Sequence, residues 1–220
     1  MGLRGPKPKG KVKIKWSPNF AYAIGLLVTD GSVSKNGRHI IFVSKDREQL
    51  DNIMEALNIR VLISCTVSGY TNRKVTRIQF SDALFSDFLV GIGVTSNKTK
   101  TIGEVKIPKK YFFDFLRGHL DGDGCVYSYF DPRWKSSFVC YTTFVSASRE
   151  HIEWIRSQIN EQLKIQGHIS TSSRSVVYQL RYAKNDSLKL WKKLYYKGNM
   201  SLSRKRLKIE GILRTIAERQ

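Results

Sequence analysis

Apolar and polar positions along this chain follow two periods in turn, and the switches between them mark out the elements. From Phe20 to Thr29 the residues are almost all apolar, and the stretch predicts a helix. Ser17-Pro18 in front supplies a capping hydroxyl and a first-turn proline. Period two follows: Ser32-Val33-Ser34, a turn at Lys35-Asn36-Gly37, and His39 to Ser44 predict a hairpin. Leu50, Ile53, Met54 and Leu57 then fall on one helical face between Asp46 and Leu57. Val61 to Tyr70 and Val75 to Phe80 predict a second hairpin around Thr71-Asn72-Arg73, and Asp82 to Val90 a further helix. A polar, basic connection runs from Gly93 to Ile102.

The second half repeats this order. Tyr111 to Asp121 predicts a helix, Cys125 to Phe130 and Phe138 to Ser146 a hairpin around Asp131-Pro132, and His168 to Ser172 with Val176 to Tyr182 another. Phe42-Val43-Ser44 followed by Arg47-Glu48 matches Phe144-Val145-Ser146 followed by Arg149-Glu150, with Asp46 and Ser148 as cap-type residues. Arg77-Ile78-Gln79-Phe80 matches Gln179-Leu180-Arg181-Tyr182 at the same offset. Helices over Ser187 to Tyr195 and Ser203 to Glu218 close the chain. Each half reads α-β-β-α-β-β-α, so the expected class is α+β with two pseudo-symmetric repeats. Two copies of so long a period are not a solenoid. The expected division is a basic arm over 1–16, one repeat over 17–105 and a second over 106–220.

The two motif helices end alike. Ala23-Ile24-Gly25-Leu26-Leu27-Val28-Thr29-Asp30-Gly31 and Leu116-Arg117-Gly118-His119-Leu120-Asp121-Gly122-Asp123-Gly124 each carry Gly at the third place and close on Asp-Gly. A glycine after the acid lets the backbone turn out of the helix. Gly25 and Thr29, like Gly118 and Gly122, are four apart on one helix face. Small residues at that spacing allow two backbones to approach, and the approach would bring Asp30 and Asp123 to the same metal ions. An acid at a helix C-terminus is electrostatically unfavourable. Two such placements at matching points argue for chemistry. Asp121 has no counterpart in the first half, where Val28 stands, and is read as structural.

These residues resemble the LAGLIDADG homing endonucleases in their single-chain form. The first stretch departs from the family pattern at its sixth place, Val28, and the second at its fourth, His119; both keep the acid at the eighth. The resemblance, over about residues 17–219, implies antiparallel four-stranded sheets forming a DNA-binding saddle, packed through the two motif helices. It implies a monomer that hydrolyses both strands of a long, pseudo-palindromic site and leaves 3′ overhangs. It further implies Mg²⁺ or Mn²⁺ as cofactor, with Ca²⁺ as a non-cleaving substitute. The ligands would be Asp30 and Asp123 with the backbone carbonyls of Thr29 and Gly122, since hard cations prefer oxygen. Lys98-Thr99-Lys100 looks like the family's basic segment, and Arg204-Lys205-Arg206 is the matching place at the end. Lys100 and Lys205 are therefore the expected basic partners, with Lys98 as the alternative to Lys100.

Charge fits a polyanion. The net charge is +20, and residues 1–105 carry 16 basic and 8 acidic residues against 22 and 10 in 106–220, so both halves are basic. An apolar content of 41% argues for a folded chain. Met1 to Trp16 is basic with no apolar core, unlike a secretory signal, and no run is long enough to span a bilayer. The three cysteines show no metal spacing, and reduced thiols in an intracellular compartment, cytoplasm or organelle, are expected.

Alternation selects the recognition residues. With Val33 and Val126 toward the core, Ser32, Ser34, Cys125, Tyr127 and Tyr129 face the duplex. Arg77 and Gln79, and Gln179 and Arg181, alternate with Ile78, Phe80, Leu180 and Tyr182 in the same sense, and Arg and Gln are the side chains that read guanine and adenine. Lys35, Arg38, Arg73, Lys74, Arg133, Lys135 and Arg174 at the turns are placed for phosphates or outer bases. Two rivals fit the same charge: an RNA-binding maturase acting on its host intron, and a catalytically inert DNA-binding regulator on the same scaffold. Neither would need both acids.

Overall fold

The structure is a computed structural model that describes residues 10–67, 74–134, 136–172 and 175–219. The first repeat consists of α1 (Pro18–Asp30), β1 (Gly31–Val33), β2 (His39–Ser44), α2 (Arg47–Leu57), β3 (Ile63–Val67), β4 (Lys74–Ser81) and α3 (Ala83–Gly91). The second consists of α4 (Phe112–Gly122), β5 (Cys125–Phe130), β6 (Phe138–Ser146), α5 (Arg149–Leu163), β7 (His168–Ser172), β8 (Ser175–Tyr182) and α6 (Lys184–Leu194), and α7 (Ser203–Ala217) follows. Each repeat folds one antiparallel four-stranded sheet, in the orders β1-β2-β4-β3 and β5-β6-β8-β7. The architecture is thus α+β with two matching halves, as the pattern predicts.

Local chemistry sets most of the boundaries. The Ser17 hydroxyl accepts from Phe20 N at 3.1 Å and Pro18 opens α1. Ser148 caps α5 and Asp82 caps α3. Asp46 departs from expectation: it occupies the cap position of α2 without bonding there, because its carboxylate pairs with Arg204 of α7 at 2.9 Å. Helix α6 starts at Lys184, ahead of the expected Ser187. The Ser187 hydroxyl bonds back to the Tyr182 carbonyl at 2.9 Å, inside the first turn. In the basic N-terminal stretch, Lys11 N and Val12 N both donate to the Asp82 carboxylate, at 2.6 and 2.8 Å, and Trp16 packs on Phe20. Residues 11–16 thus lie on the first repeat, while residues 1–9 fall outside the described ones.

The core is one continuous body of buried side chains running from Val12 to Ile216. At its centre every residue of α1 from Phe20 to Val28 is buried, which is why that helix is apolar all round. Helix α4 packs along it. A Cβ on Gly25 would lie 2.9 Å from Gly118 Cα and closer still to the Phe115 carbonyl oxygen; one on Gly118 would lie 3.1 Å from Gly25 Cα and meet the Tyr22 carbonyl. The two glycines therefore set how closely the helices approach. Charge in this interior is paired. Arg117, fully buried, bonds Asp114 at 2.8 Å, Leu194 O at 3.1 Å and Met200 O at 2.7 Å.

Candidate active site and nucleic-acid interface

The close seam brings the C-terminal ends of α1 and α4 together. Asp30 is the last residue of α1, and Asp123 follows the last residue of α4. The neighbouring Gly122 makes room: a Cβ there would overlap the Thr29 hydroxyl and stand 3.0 Å from Asp30 Oδ2. Thr29 Oγ1 donates to Leu26 O at 2.9 Å and reaches Asp30 Oδ2 at 3.2 Å. Burial raises the Asp30 carboxyl to about 6, and the adjacent Asp123 charge adds to it. Desolvation raises Asp123 as well, against the pull of Lys205 and Lys98, although this residue is the more open of the two to solvent. The two carboxylates are hard oxygen donors whose burial, with the Asp123 charge beside Asp30, outweighs the opposing pull of Lys205 and Lys98. Among the described residues no group of three or more His, Cys, Asp or Glu gathers anywhere. A cation here would rest on the two acids, main-chain carbonyls and groups from outside the chain, a donor set that suits a divalent ion of the Mg²⁺ or Ca²⁺ type.

A lysine closes each helix end. Lys98 Nζ donates to the Gly31 carbonyl just past Asp30. Lys205 Nζ donates to Gly124 O at 2.7 Å just past Asp123, to Asp121 O at 2.9 Å, to Gly122 O at 3.4 Å and to the Leu120 carbonyl. Both ammonium groups thus cap orphan carbonyls of a helix C-terminus. Burial lowers each to about 8, with Asp30 and Asp123 opposing at Lys98 and Asp121 opposing at Lys205. Of the two lysines expected at this place in the first half, Lys98 is the one that stands beside Asp30, and Lys100 does not reach it. Lys98–Lys100 is a single 3-10 turn that sends Lys98 inward to 6% exposure and leaves Lys100 on the surface. Asp121, fully buried, accepts from Tyr22 Oη at 2.9 Å, Tyr195 Oη at 2.7 Å and Leu202 N at 2.7 Å. It ties the start of α7 to the motif helices and so fixes where Lys205 stands.

No protein-family model and no curated protein matches the chain. Solved structures do match it. Full-length DUF199/WhiA from Thermatoga maritima aligns with a TM-score of 0.59 and 16% identity over 94% of this chain; the chain spans 63% of that protein's length. I-DmoI in complex with DNA and Ca aligns with a TM-score of 0.57 and 13% identity, covering 87% of this chain and 97% of that one. The LAGLIDADG homing endonuclease I-LtrWI bound to target DNA aligns with a TM-score of 0.56 and 12% identity, covering 92% and 93%. The fold is LAGLIDADG. Its two departures from the LAGLIDADG pattern face inward. Val28 is 7% exposed within the core. His119 is buried against His151, ring centroids 5.3 Å apart, where desolvation holds it well below its ordinary range and His151 at about 4.

The LAGLIDADG sheets turn the expected residues outward. Val33 and Val126 are buried, while Ser32 and Cys125 are exposed and Ser34 and Tyr127 half-buried. On β4, Ile78 and Phe80 are buried, Gln79 is exposed and Arg77 is half-buried, with Arg77 Nε 3.4 Å from Ser64 Oγ. On β8, Leu180 and Tyr182 are buried and Gln179 and Arg181 half-buried. Arg181 differs from Arg77. Its guanidinium lies 5.9 Å from the Tyr127 ring centroid and 5.6 Å from that of Tyr141, Nη2 reaches Gln179 Oε1 at 3.4 Å, and Nε is enclosed without a partner. Arg181 is thus packed into an aromatic cluster, where among the described residues Arg77 makes one long hydrogen bond. Lys35, Arg38 and Lys74 are exposed; Arg133 is exposed beside Asp131, Nε to Oδ1 3.5 Å. Arg73, Lys135 and Arg174 lie outside the described residues.

Tyr141 is the groove-facing residue that reading the chain passed over. The alternation of β6 places it, but it sits in an apolar run whose polar face is hard to separate from its buried face. Two clefts flank the acids. One of about 300 Å³ joins Asp30 and Gly122 to Val43, Lys45 and Arg204; one of about 50 Å³ joins Asp123 and Thr29 to Thr99 and Ser146.

Proposed function

We propose that this chain is a monomeric, divalent-metal-dependent, site-specific endonuclease acting on double-stranded DNA. One observation carries the reading. Two carboxylates stand at the ends of two closely packed helices, each beside a buried lysine, where burial and mutual repulsion keep Asp30 hard to ionise. A divalent cation on the pair would relieve the burial and repulsion that the two lysines offset only in part.

Asp30 and Asp123, with the main-chain carbonyls of Thr29 and Gly122, are the groups that would hold the cations. A divalent ion bound to oxygen donors supplies an activated water and offsets charge on the attacked phosphate and the leaving oxygen. The Lys98 ammonium, protonated at neutral pH with its range near 8, adds fixed positive charge beside the scissile phosphates. The two sheet faces hold the duplex, with phosphate contacts from Lys35, Arg38, Lys74 and Arg133 and base contacts from Arg77 and Gln79. The presence of DNA and Ca in the I-DmoI structure supports this class of partner and cation. Cleavage of both strands of a long pseudo-palindromic site to leave 3′ overhangs, and intron homing, belong to the same proposal.

Asp30→Asn and Asp123→Asn each remove a ligand while keeping shape. Incubated with a randomised duplex library and Mg²⁺, the unaltered chain yields linearised products and each variant yields none, while duplex affinity stays within a few-fold. Full cutting by either variant rules the acids out as ligands.

One observation favours a second reading. Lys205 gives its ammonium protons to backbone carbonyls, which is the role of a helix cap. In a non-cleaving nucleic-acid-binding protein both lysines would be structural alone. The same assay decides: absence of any cut product from the unaltered chain favours the non-cleaving protein.

A further inference from the structure

The open faces of the two sheets differ in chemistry. On the second, Tyr127, Tyr129 and Tyr141 form one cluster. Ring centroids are 5.2 Å apart for Tyr127–Tyr141, 6.5 Å for Tyr127–Tyr129 and 6.4 Å for Tyr129–Tyr141, with planes within 29° of each other. Tyr127 and Tyr141 are register partners across β5 and β6. At the equivalent point of the first hairpin the partners are Ser34 and His39, joined by Ser34 N to His39 O at 2.9 Å. At this pair the first face is therefore polar where the second is aromatic. Beyond Tyr129 the same hairpin presents Trp134 at 68% exposure beside the exposed Arg133, which pairs loosely with Asp131, and Tyr129 itself is 43% exposed.

A closed duplex on this face would leave most of the aromatic surface unused. Within a base pair the faces are stacked on neighbours, and only edges are presented in the grooves. A tyrosine offers one hydroxyl to an edge but a whole ring to a face. Aromatic rings spread on a four-stranded antiparallel sheet, with arginine among them and basic groups at the margin, match bases whose faces are uncovered. We propose that the open face of the second sheet binds unpaired nucleobases of a single-stranded stretch, which stack on Tyr127, Tyr129 and Tyr141 while Arg181 holds the tyrosine rings in place and Arg133 at the hairpin turn meets the phosphates. The site goes beyond duplex cleavage and requires neither Asp30 nor Asp123.

The test uses the full chain without metal and three short oligomers of equal length: thymidine, uridine and an abasic strand with the same phosphates. Base-bearing strands bind at least about ten-fold tighter than the abasic strand, since each stacked base contributes severalfold. Tyr127→Ala and Tyr141→Ala each reduce that preference about five-fold or more. Tyr127→Phe and Tyr141→Phe, which keep the ring, retain it. Tyr129→Ala, at an exposed position that cannot unfold the sheet, reduces it too. Whether uridine or thymidine binds tighter tells RNA from DNA as the source. An abasic strand that binds as tightly as the others, or alanine variants that keep the full preference, overturns the proposal. Neither result bears on cutting, which is read separately with Mg²⁺ and duplex.

Discussion

At the scale of single residues, Asp30 makes the sharpest prediction. Its carboxyl is raised from 3.8 to about 6 in the folded chain, so folding takes up protons at this site as the pH passes between those values. The stability it contributes is fully present below about 3.8 and is lost as pH rises through about 6. Without metal, Asp30→Asn should therefore melt roughly 2–6 °C higher than the unaltered chain at pH 7, and the gap should close toward pH 4. Thermal melts across that range check it, and a variant that melts lower at pH 7 would show that the carboxylate has a stabilising partner. Saturating Mg²⁺ should reverse the order at pH 7 if Asp30 is a ligand. Arg77 and Arg181 make a second test. Arg77 is lightly held and free to extend, so Arg77→Ala should relax preference at one or two base positions, at about 1–3 kcal/mol each. Arg181 is enclosed among tyrosines, so Arg181→Ala should instead disturb the face it supports and lower affinity at several positions together. Profiling each variant against every single-base change in the target separates the two. The choice between Lys98 and Lys100 was not legible beforehand. A polar connection has no period, and two residues apart in a 3-10 turn point in different directions.

At the scale of elements, the seam between α1 and α4 controls both stability and how closely Asp30 and Asp123 approach. Gly118→Ala would place a methyl group against main-chain atoms of α1, which cannot swing aside as a side chain can. The cost is about 3 kcal/mol, at the upper end for overpacking, or roughly 6–12 °C in melting temperature for a chain of this size. Cutting should fall further than stability, because the acids ride on the ends of the displaced helices. Gly211 on α7 is the contrast: a Cβ there meets nothing within 4 Å. Gly211→Ala should stabilise by about 0.5–1 kcal/mol, as expected for a helical glycine replaced without contact. Differential scanning calorimetry of the two variants reads both signs in one experiment, and a Gly118→Ala chain as stable as the original would mean the helices have room to separate. The glycine spacing was visible in the chain, since small residues four apart face one way. The lysine caps were not, because Lys98 and Lys205 reach helix ends 67 and 81 residues away in sequence.

At the scale of the whole molecule, charge and shape act together. Both repeats are basic, with Lys35, Arg38 and Lys74 exposed at the turns and strand ends of one sheet and Arg133 exposed at a turn of the other. Duplex affinity should therefore fall steeply with salt, by about 10³-fold or more between 50 and 200 mM if six or more phosphates are contacted. Filter binding or anisotropy across that range measures the slope, and an affinity that barely changes would count against a backbone-tracking surface. Much of this molecule follows from the chain by itself. Periodicity placed the elements, repeat matching paired them into two halves, and alternation chose the strand faces, because each depends on spacing between near neighbours. Other features were decided only by tertiary structure. Which lysine enters the cleft, why Asp46 leaves its cap for Arg204, how Asp121 anchors α7 and how Arg181 is enclosed by Tyr127 and Tyr141 all depend on side chains far apart in sequence. Burial then sets the charge state of the acids and lysines, since desolvation is a property of the surroundings that the folded core creates and no local stretch of residues contains.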